Sequence, residues 1–387
     1  VSALILGELL GIGTYASLHQ FTDIALGVWA VALLARRGRW PQWWVWLLAG
    51  TVAVTGLWSP VPWLAPWAGG RILALAVIAT NIRRDPKMLA TGLALGLAPQ
   101  LAVFAMQLGD SRPRGLSPNA FAVAETGVYA FMLGTYARHR GLQAVSGIMV
   151  GFPVTRAALL AVWVFALAKV KDAANHKKAS GESEPNESSR PKRYQVYVQQ
   201  WHVIAPVVLI TLVFLGHAAL NGDIRRLSPS ELSRSASMRA DTIEGNIGAR
   251  MEVIAQFGED APEYHDPEFR LLGYGHAGYL WETGLPRPHT TWLVIPYEYG
   301  LLSLVPFGLL LWLLWRQALP WPVVLGVFVM SLFSADQIHG PEEHYLFAAL
   351  AMCFARTTEP LSQPARRLVR RLRAARAGTT EPSQAAQ

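Results

Sequence analysis

Apolar residues in this chain come in blocks of 12 to 26, separated by short joints that are basic or rich in Pro and Gly. That alternation is the pattern of a polytopic membrane protein. Composition agrees with it: 52% of residues are hydrophobic, 16% are charged and the mean hydropathy is +0.26, whereas about 25% of an ordinary soluble domain is charged. These values argue against a soluble enzyme. The single Cys353 lies inside an apolar block, which leaves no disulfide framework and no thiolate metal cluster.

The blocks predict an all-α polytopic protein with twelve crossings near residues 2–18, 22–35, 43–58, 71–82, 88–108, 120–137, 142–154, 157–170, 202–220, 290–315, 319–335 and 344–356. The first block carries Glu8 and lacks the basic leader and small-residue cleavage pattern of a secretory signal, so it reads as a retained helix. Joints on one side hold 23 Lys and Arg, and the short joints on the other hold four: Arg71, Arg112, Arg114 and Arg156. Basic joints stay in the cytoplasm, so both termini are expected there. The net charge of +8 is then an orientation signal and not a nucleic-acid footprint. In the stretch 142–170 a single long helix would put the basic joints at 138–140 and 169–193 on opposite sides. A hairpin broken at Gly151 and Pro153, with Arg156 at its tip, keeps them together.

Four regions follow: helices 1 to 9 over 1–220, with a polar stretch at 171–200 expected to be a flexible cytoplasmic loop; an outer loop subdomain at 221–289; helices 10 to 12 over 290–356; and a basic tail at 357–387. The outer loop, with 68 residues between 221 and 288, carries 11 acidic and 7 basic residues and is long enough to escape the charge rule. No internal repeat is visible.

The chemistry is sought around that loop. At 100° per residue Ile243, Ile247, Met251, Ile254 and Phe257 share one helical arc, and Arg250 falls among them at about 340°. Arg250 therefore either aims at the bundle or snorkels toward headgroups. Arg156 is either an anchor at a helix tip or a binding residue; two guanidiniums facing one cavity would suit a pyrophosphate, whose oxygens match their planar fork. His289 opens the tenth segment and is either an interfacial histidine or a general base near neutral pH. Glu298 lies nine residues deeper, about 13.5 Å along a regular helix. It shares with Glu8, Asp23 and Glu125 the status of an ionisable group inside a span. The run DQIHGPEEHY at 336–345 matches no zinc helix motif, because Gly340 and Pro341 separate its histidines. The run RLLGYGHAGY at 270–279 does not follow a strand and carries no dinucleotide fingerprint.

The arrangement resembles the O-antigen ligase and O-antigen polymerase superfamily, twelve-helix membrane proteins with a large periplasmic loop between helices nine and ten. Arg156 with Leu160, and His289 with Gly300 eleven positions on, look like the two spaced motifs of its ligases. GARMEVIAQF followed by LLGYG is similar to the family's arginine-bearing periplasmic helix and glycine turn, with Arg250 as the second arginine. The chain departs in having Thr290 where members often have Asn. The resemblance implies a GT-C-type glycosyltransferase, without metal or other cofactor, facing the periplasm from the bacterial inner membrane. It would move a glycan from undecaprenyl diphosphate to a hydroxyl of lipid A core or of a growing glycan. His289 would be the base and Arg156 and Arg250 would hold the pyrophosphate, with Arg239 and Glu298 as supporting residues. A protein O-oligosaccharyltransferase is a further acceptor variant. From another class, a lipid-linked sugar flippase would use Glu8, Asp23, Glu125 and Glu298 as a buried coupling path.

Overall fold

The computed structural model describes residues 1–15, 17–41, 43–82, 85–110, 113–117, 120–179, 191–221, 271–275, 295, 298–301 and 320–332. These are helical, and no strand occurs among them. The elements are α1 (Ser2–Ile12), α2 (His19–Arg37), α3 (Trp43–Val54), a 3-10 turn (Thr55–Leu57), α4 (Leu64–Asn81), α5 (Pro86–Leu97), α6 (Pro99–Met106), α7 (Ala120–Ala137), α8 (Arg140–Gly151), α9 (Arg156–Ala179), α10 (Pro191–Leu220) and α11 (Trp321–Ser331). Leu64–Asn81, Pro86–Met106 and Trp201–Leu220 are each long and apolar enough to cross a membrane.

The tightest helix pair is made by two G-x-x-x-G runs, Gly7 with Gly11 on α1 and Gly92 with Gly96 on α5. A Cβ on Gly11 would lie 2.9 Å from Gly96, one on Gly96 2.5 Å from the Glu8 carbonyl, and one on Gly92 would fall onto the Leu4 carbonyl. Small residues spaced this way let two backbones approach without side chains between them. Leu6, Leu10, Leu89, Leu93 and Leu97 fill the flanks and are buried. The Tyr15 hydroxyl donates to the Gly96 carbonyl and ties the α1–α2 joint to the same pair. A third such run on α8, Gly147 with Gly151, receives Ile210 and Val213 of α10.

These contacts fix relative directions. α1 runs parallel to α5, and α8 runs parallel to α10. Asp23 meets Arg71 at one end of α2 and α4, and the Asn81 amide donates to the Arg39 carbonyl at 2.7 Å at the other, so those two are parallel as well. Gly127 meets Met149 and Gly134 meets Gln143, which makes α7 and α8 antiparallel. Phe131 meets Phe165 and Lys169 lies 3.8 Å above the Tyr136 ring, which makes α7 and α9 parallel. α8 and α9 are therefore opposed, as the hairpin reading requires. Their joint, residues 152–155, includes Val154 at φ 52°, a left-handed backbone that no continuous helix contains.

One end of the bundle carries Arg36, Arg39, Lys87, Arg138, Arg140, Lys169 and Lys171; the other carries Arg71, Arg114 and Arg156. We refer to them as the basic end and the opposite end. Large apolar side chains stand exposed along the outside: Phe21, Ile24, Val28 and Val31 on α2, and Leu209, Leu212 and Leu215 on α10. Exposed tryptophans fall near both ends, Trp43 and Trp201 toward the basic one and Trp63 and Trp67 toward the other. Interfacial tryptophans mark the two edges of a bilayer in this way.

Several expectations are corrected. The polar stretch 171–200 is not a loop throughout: α9 runs on to Ala179 and α10 begins at Pro191. Lys- and Ala-rich sequence is good helix former, and extending an existing helix needs no new nucleus. The block 88–108 does form one apolar span, Pro86–Met106, with a local irregularity at Ala98 because Pro99 lacks an amide hydrogen. The block 290–315 is not one regular helix. Gly300 has φ +70° and follows two helical residues, so the segment turns there. The twelfth block, 344–356, and the tail lie outside the described residues.

Candidate functional site

Three joints build the opposite end, and two of them contain expected site residues. The first is the break at Gly300. Its left-handed backbone suits glycine alone, and a Cβ there would fall onto the carbonyl of Leu271 and within 2.5 Å of the Leu272 amide nitrogen. The glycine at the end of the spaced His289 motif is thereby packed, backbone to backbone, on the start of the LLGYG turn. That turn passes on to the 3-10 segment after α3: a Cβ on Gly275 would lie 2.7 Å from Ser59 and 2.8 Å from the Thr55 carbonyl. Tyr274, between Gly273 and Gly275, is buried. Residues 271–275 thus clasp the Gly300 segment to the end of the α3–α4 hairpin.

Glu298 lies two residues before the break and is fully buried. Its neighbours Ile295 and Tyr299 pack with Leu48 and Val52 of α3 and with Ala68 and Ile72 of α4. The Glu298 carboxyl group thus lies buried two residues before an irregular backbone whose neighbours are apolar.

The second joint is the α8–α9 turn. Arg156 is the first residue of α9 and is exposed. Behind the turn, Phe152 lies between two rings, with centroids 5.9 Å from Phe104 of α6 and 5.2 Å from His217 of α10. His217 is buried, and the side-chain amide of Asn221 donates to its carbonyl at 3.0 Å. Arg156 therefore follows a turn that packs on Phe104 and His217 through Phe152.

The third joint is a strut. Asp23 accepts from the Trp67 indole at 2.8 Å, from Arg71 Nε at 2.9 Å and from Arg71 Nη2 at 2.6 Å, and the Asp23 and Arg71 side chains are only 4% and 8% exposed. Arg71, a cation of the opposite end, is thus already neutralised within the bundle. Both partners were visible in the sequence as separate charges. Nothing in their spacing of 48 residues shows that they meet.

The other acids expected inside spans are dispersed. Glu8 is exposed on α1 and does not belong to a buried path. Glu125 is buried on α7 and accepts from the Tyr129 hydroxyl one turn on, at 2.9 Å. Among the described residues no group of three or more His, Cys, Asp or Glu is arranged to hold a metal ion. His289, Arg250, Arg239 and the 336–345 run lie outside the described residues. Of the five expected site residues, Arg156 and Glu298 are therefore the two whose surroundings are seen. They occupy different settings, one exposed after the α8–α9 turn and one buried beside residues that pack on α3 and α4. Comparison of the chain with protein-family models, with curated proteins and with solved structures finds no match.

Proposed function

We propose that this chain is a glycosyltransferase of the bacterial cytoplasmic membrane. It moves a glycan from undecaprenyl diphosphate to a hydroxyl of lipid A core on the periplasmic face. The observation that carries the proposal is the clasp at Gly300. Two phrases that resemble separate motifs of the O-antigen ligase superfamily, LLGYG and the His289-to-Gly300 spacing, meet in one backbone contact. Chance occurrence of either spacing gives no reason for them to touch. The opposed directions of α8 and α9 support the twelve-span arrangement, because they keep the basic joints on one side.

In this mechanism the acceptor oxygen attacks the anomeric carbon of the donor, the bond from that carbon to the diphosphate breaks, and the acceptor proton passes to the His289 imidazole. Arg156 and Arg250 stabilise the negative charge that grows on the departing diphosphate. A fixed cationic pair serves here because guanidinium stays charged at any working pH. Arg239 and the buried Glu298 support the site. Polymerisation of repeat units would use the same donor chemistry with a different acceptor; the presence of both spaced phrases favours ligation. A flippase reading loses its coupling path, since Glu8 is exposed and Asp23 is consumed by Arg71.

The test is transfer by purified protein from radiolabelled undecaprenyl-diphosphate glycan to lipid A core, with and without chelator. Transfer that survives chelation and falls by about 100-fold or more in His289→Ala supports the assignment. Transfer undiminished by that substitution removes His289 as the base. Arg250→Lys should lose most activity at normal expression, because an ammonium cannot make the forked contact.

A further inference from the structure

Beside the Phe104–Phe152 ring pair, residues 113–117 form a short basic loop whose backbone is held by two glutamine side chains. Gln107 Oε1 accepts from the Arg114 amide at 3.1 Å and from the Gly115 amide at 2.9 Å, and Gln100 Oε1 accepts from the Leu116 amide at 2.7 Å. Three successive amides are thereby satisfied by the side chains of Gln100 in α6 and Gln107 at its end, and Gln100 itself is buried. Gly115 has φ +59°, and a Cβ there would overlap Gln100 Oε1 while lying 3.5 Å from the Phe104 ring. The loop can approach α6 this closely only with glycine at that position.

Contacts run unbroken from this loop to Arg156: Gly115 sits on Phe104, Phe104 stacks on Phe152, and Phe152 opens the turn that ends at Arg156. Arg114 and Arg156 are both exposed, and neither guanidinium makes a hydrogen bond or ion pair among the described residues. Arg71, the other described arginine at this end, is consumed by Asp23. At the far end of the same loop the Ser117 hydroxyl is buried, 7% exposed, and has no hydrogen-bond partner. Among the described residues, this capped loop presents a guanidinium with no hydrogen-bond or ion-pair partner at the same end of the bundle as Arg156, and two such groups at one end suit an anion.

We infer that Arg114 is a second phosphate-binding arginine on the face that carries Arg156, with Gln100 and Gln107 as the positioning residues that fix its loop. The ligand class is a phosphate or diphosphate joined to an apolar chain, since both arginines are exposed at one end of a bundle whose helices carry large exposed apolar side chains. The inference rests on the proposed donor chemistry for its biological ligand. Its test is a binding measurement independent of transfer.

Full-length protein in phosphatidylcholine nanodiscs would be titrated with undecaprenyl diphosphate and with inorganic pyrophosphate, then again in discs containing phosphatidylglycerol. Arg114→Gln should weaken both probes about tenfold in phosphatidylcholine, and Arg114→Lys should recover part of that loss. Gln107→Ala should weaken binding severalfold in the wild-type background and add nothing in the Arg114→Gln background, because its effect passes through Arg114. Additive losses would assign Gln107 a merely structural role and overturn the positioning claim. Unchanged affinity of Arg114→Gln in phosphatidylcholine overturns the site. Loss of phosphatidylglycerol association with no change for either diphosphate probe reduces Arg114 to a headgroup anchor and overturns it as well. A protein that binds both probes through Arg114 but transfers no glycan would refute the transferase reading and leave this site standing.

Discussion

Two regions of this molecule depend on glycine for opposite reasons. Along α1 and α5, four glycines on regular helices remove side chains so that two rods can touch over more than one turn. At Gly300 a single glycine breaks a helix, with φ +70°, and brings the broken backbone against Leu271 and Leu272 beside a buried carboxyl group. The first contact spends glycine on rigidity. The second is a turn beside a buried carboxyl group, which we propose to be part of the site. The comparison teaches that glycine count says little about role, whereas glycine dihedral and neighbour identity say a good deal.

The sharpest way to break the comparison is Gly300→Ala. It sets an L side chain at positive φ and against a carbonyl, so the His289 segment must shift; a displacement of about 1 Å is expected to cut transfer about 100-fold. Activity within twofold of wild type would show that the break carries no function. Next in size is Asp23→Asn, which leaves the Arg71 guanidinium in a setting where it is 8% exposed and without its charge partner. A loss of about 3 to 5 kcal/mol is expected in chemical unfolding from detergent, and Arg71→Met in the same chain should restore most of it. Failure of that rescue would mean the pair does more than join α2 to α4.

A smaller effect is expected from Gly92→Ala. The added methyl must push α1 away from α5 at a cost of about 1 to 3 kcal/mol, measured as a lowered midpoint in the same unfolding series. Turnover per folded molecule should stay near wild type. A Gly92→Ala protein that is stable yet inactive would erase the distinction between scaffold glycines and site glycines.

Much of the fold was legible. The apolar blocks located most described helices, and the argument from basic joints required α8 and α9 to oppose each other, which they do. Helix ends were less legible, because α9 and α10 extend into polar sequence once an apolar stretch has nucleated them. The break at Gly300 was not foreseen, since Leu, Val and Tyr on both sides read as one continuous span and glycine is common in membrane helices. Arg156 was read at the tip of the hairpin and opens α9 just after that turn, but the turn packs on Phe104 and His217 through Phe152, residues that share no spacing rule. The G-x-x-x-G runs on α1, α5 and α8 were available as a local signal and were not read.

Sequence by itself determined the helical class, the apolar periodicity and the unequal distribution of cations, because each depends on composition within a few turns of chain. Tertiary structure alone decided which charges are free and which are spent. Asp23 cancels Arg71 across 48 residues, and Gln100 and Gln107 cap a loop whose Arg114 has no ion pair among the described residues. Pairing of that kind depends on which helix faces meet. The meeting is set by close packing of small residues between distant segments, and no local window of sequence contains it.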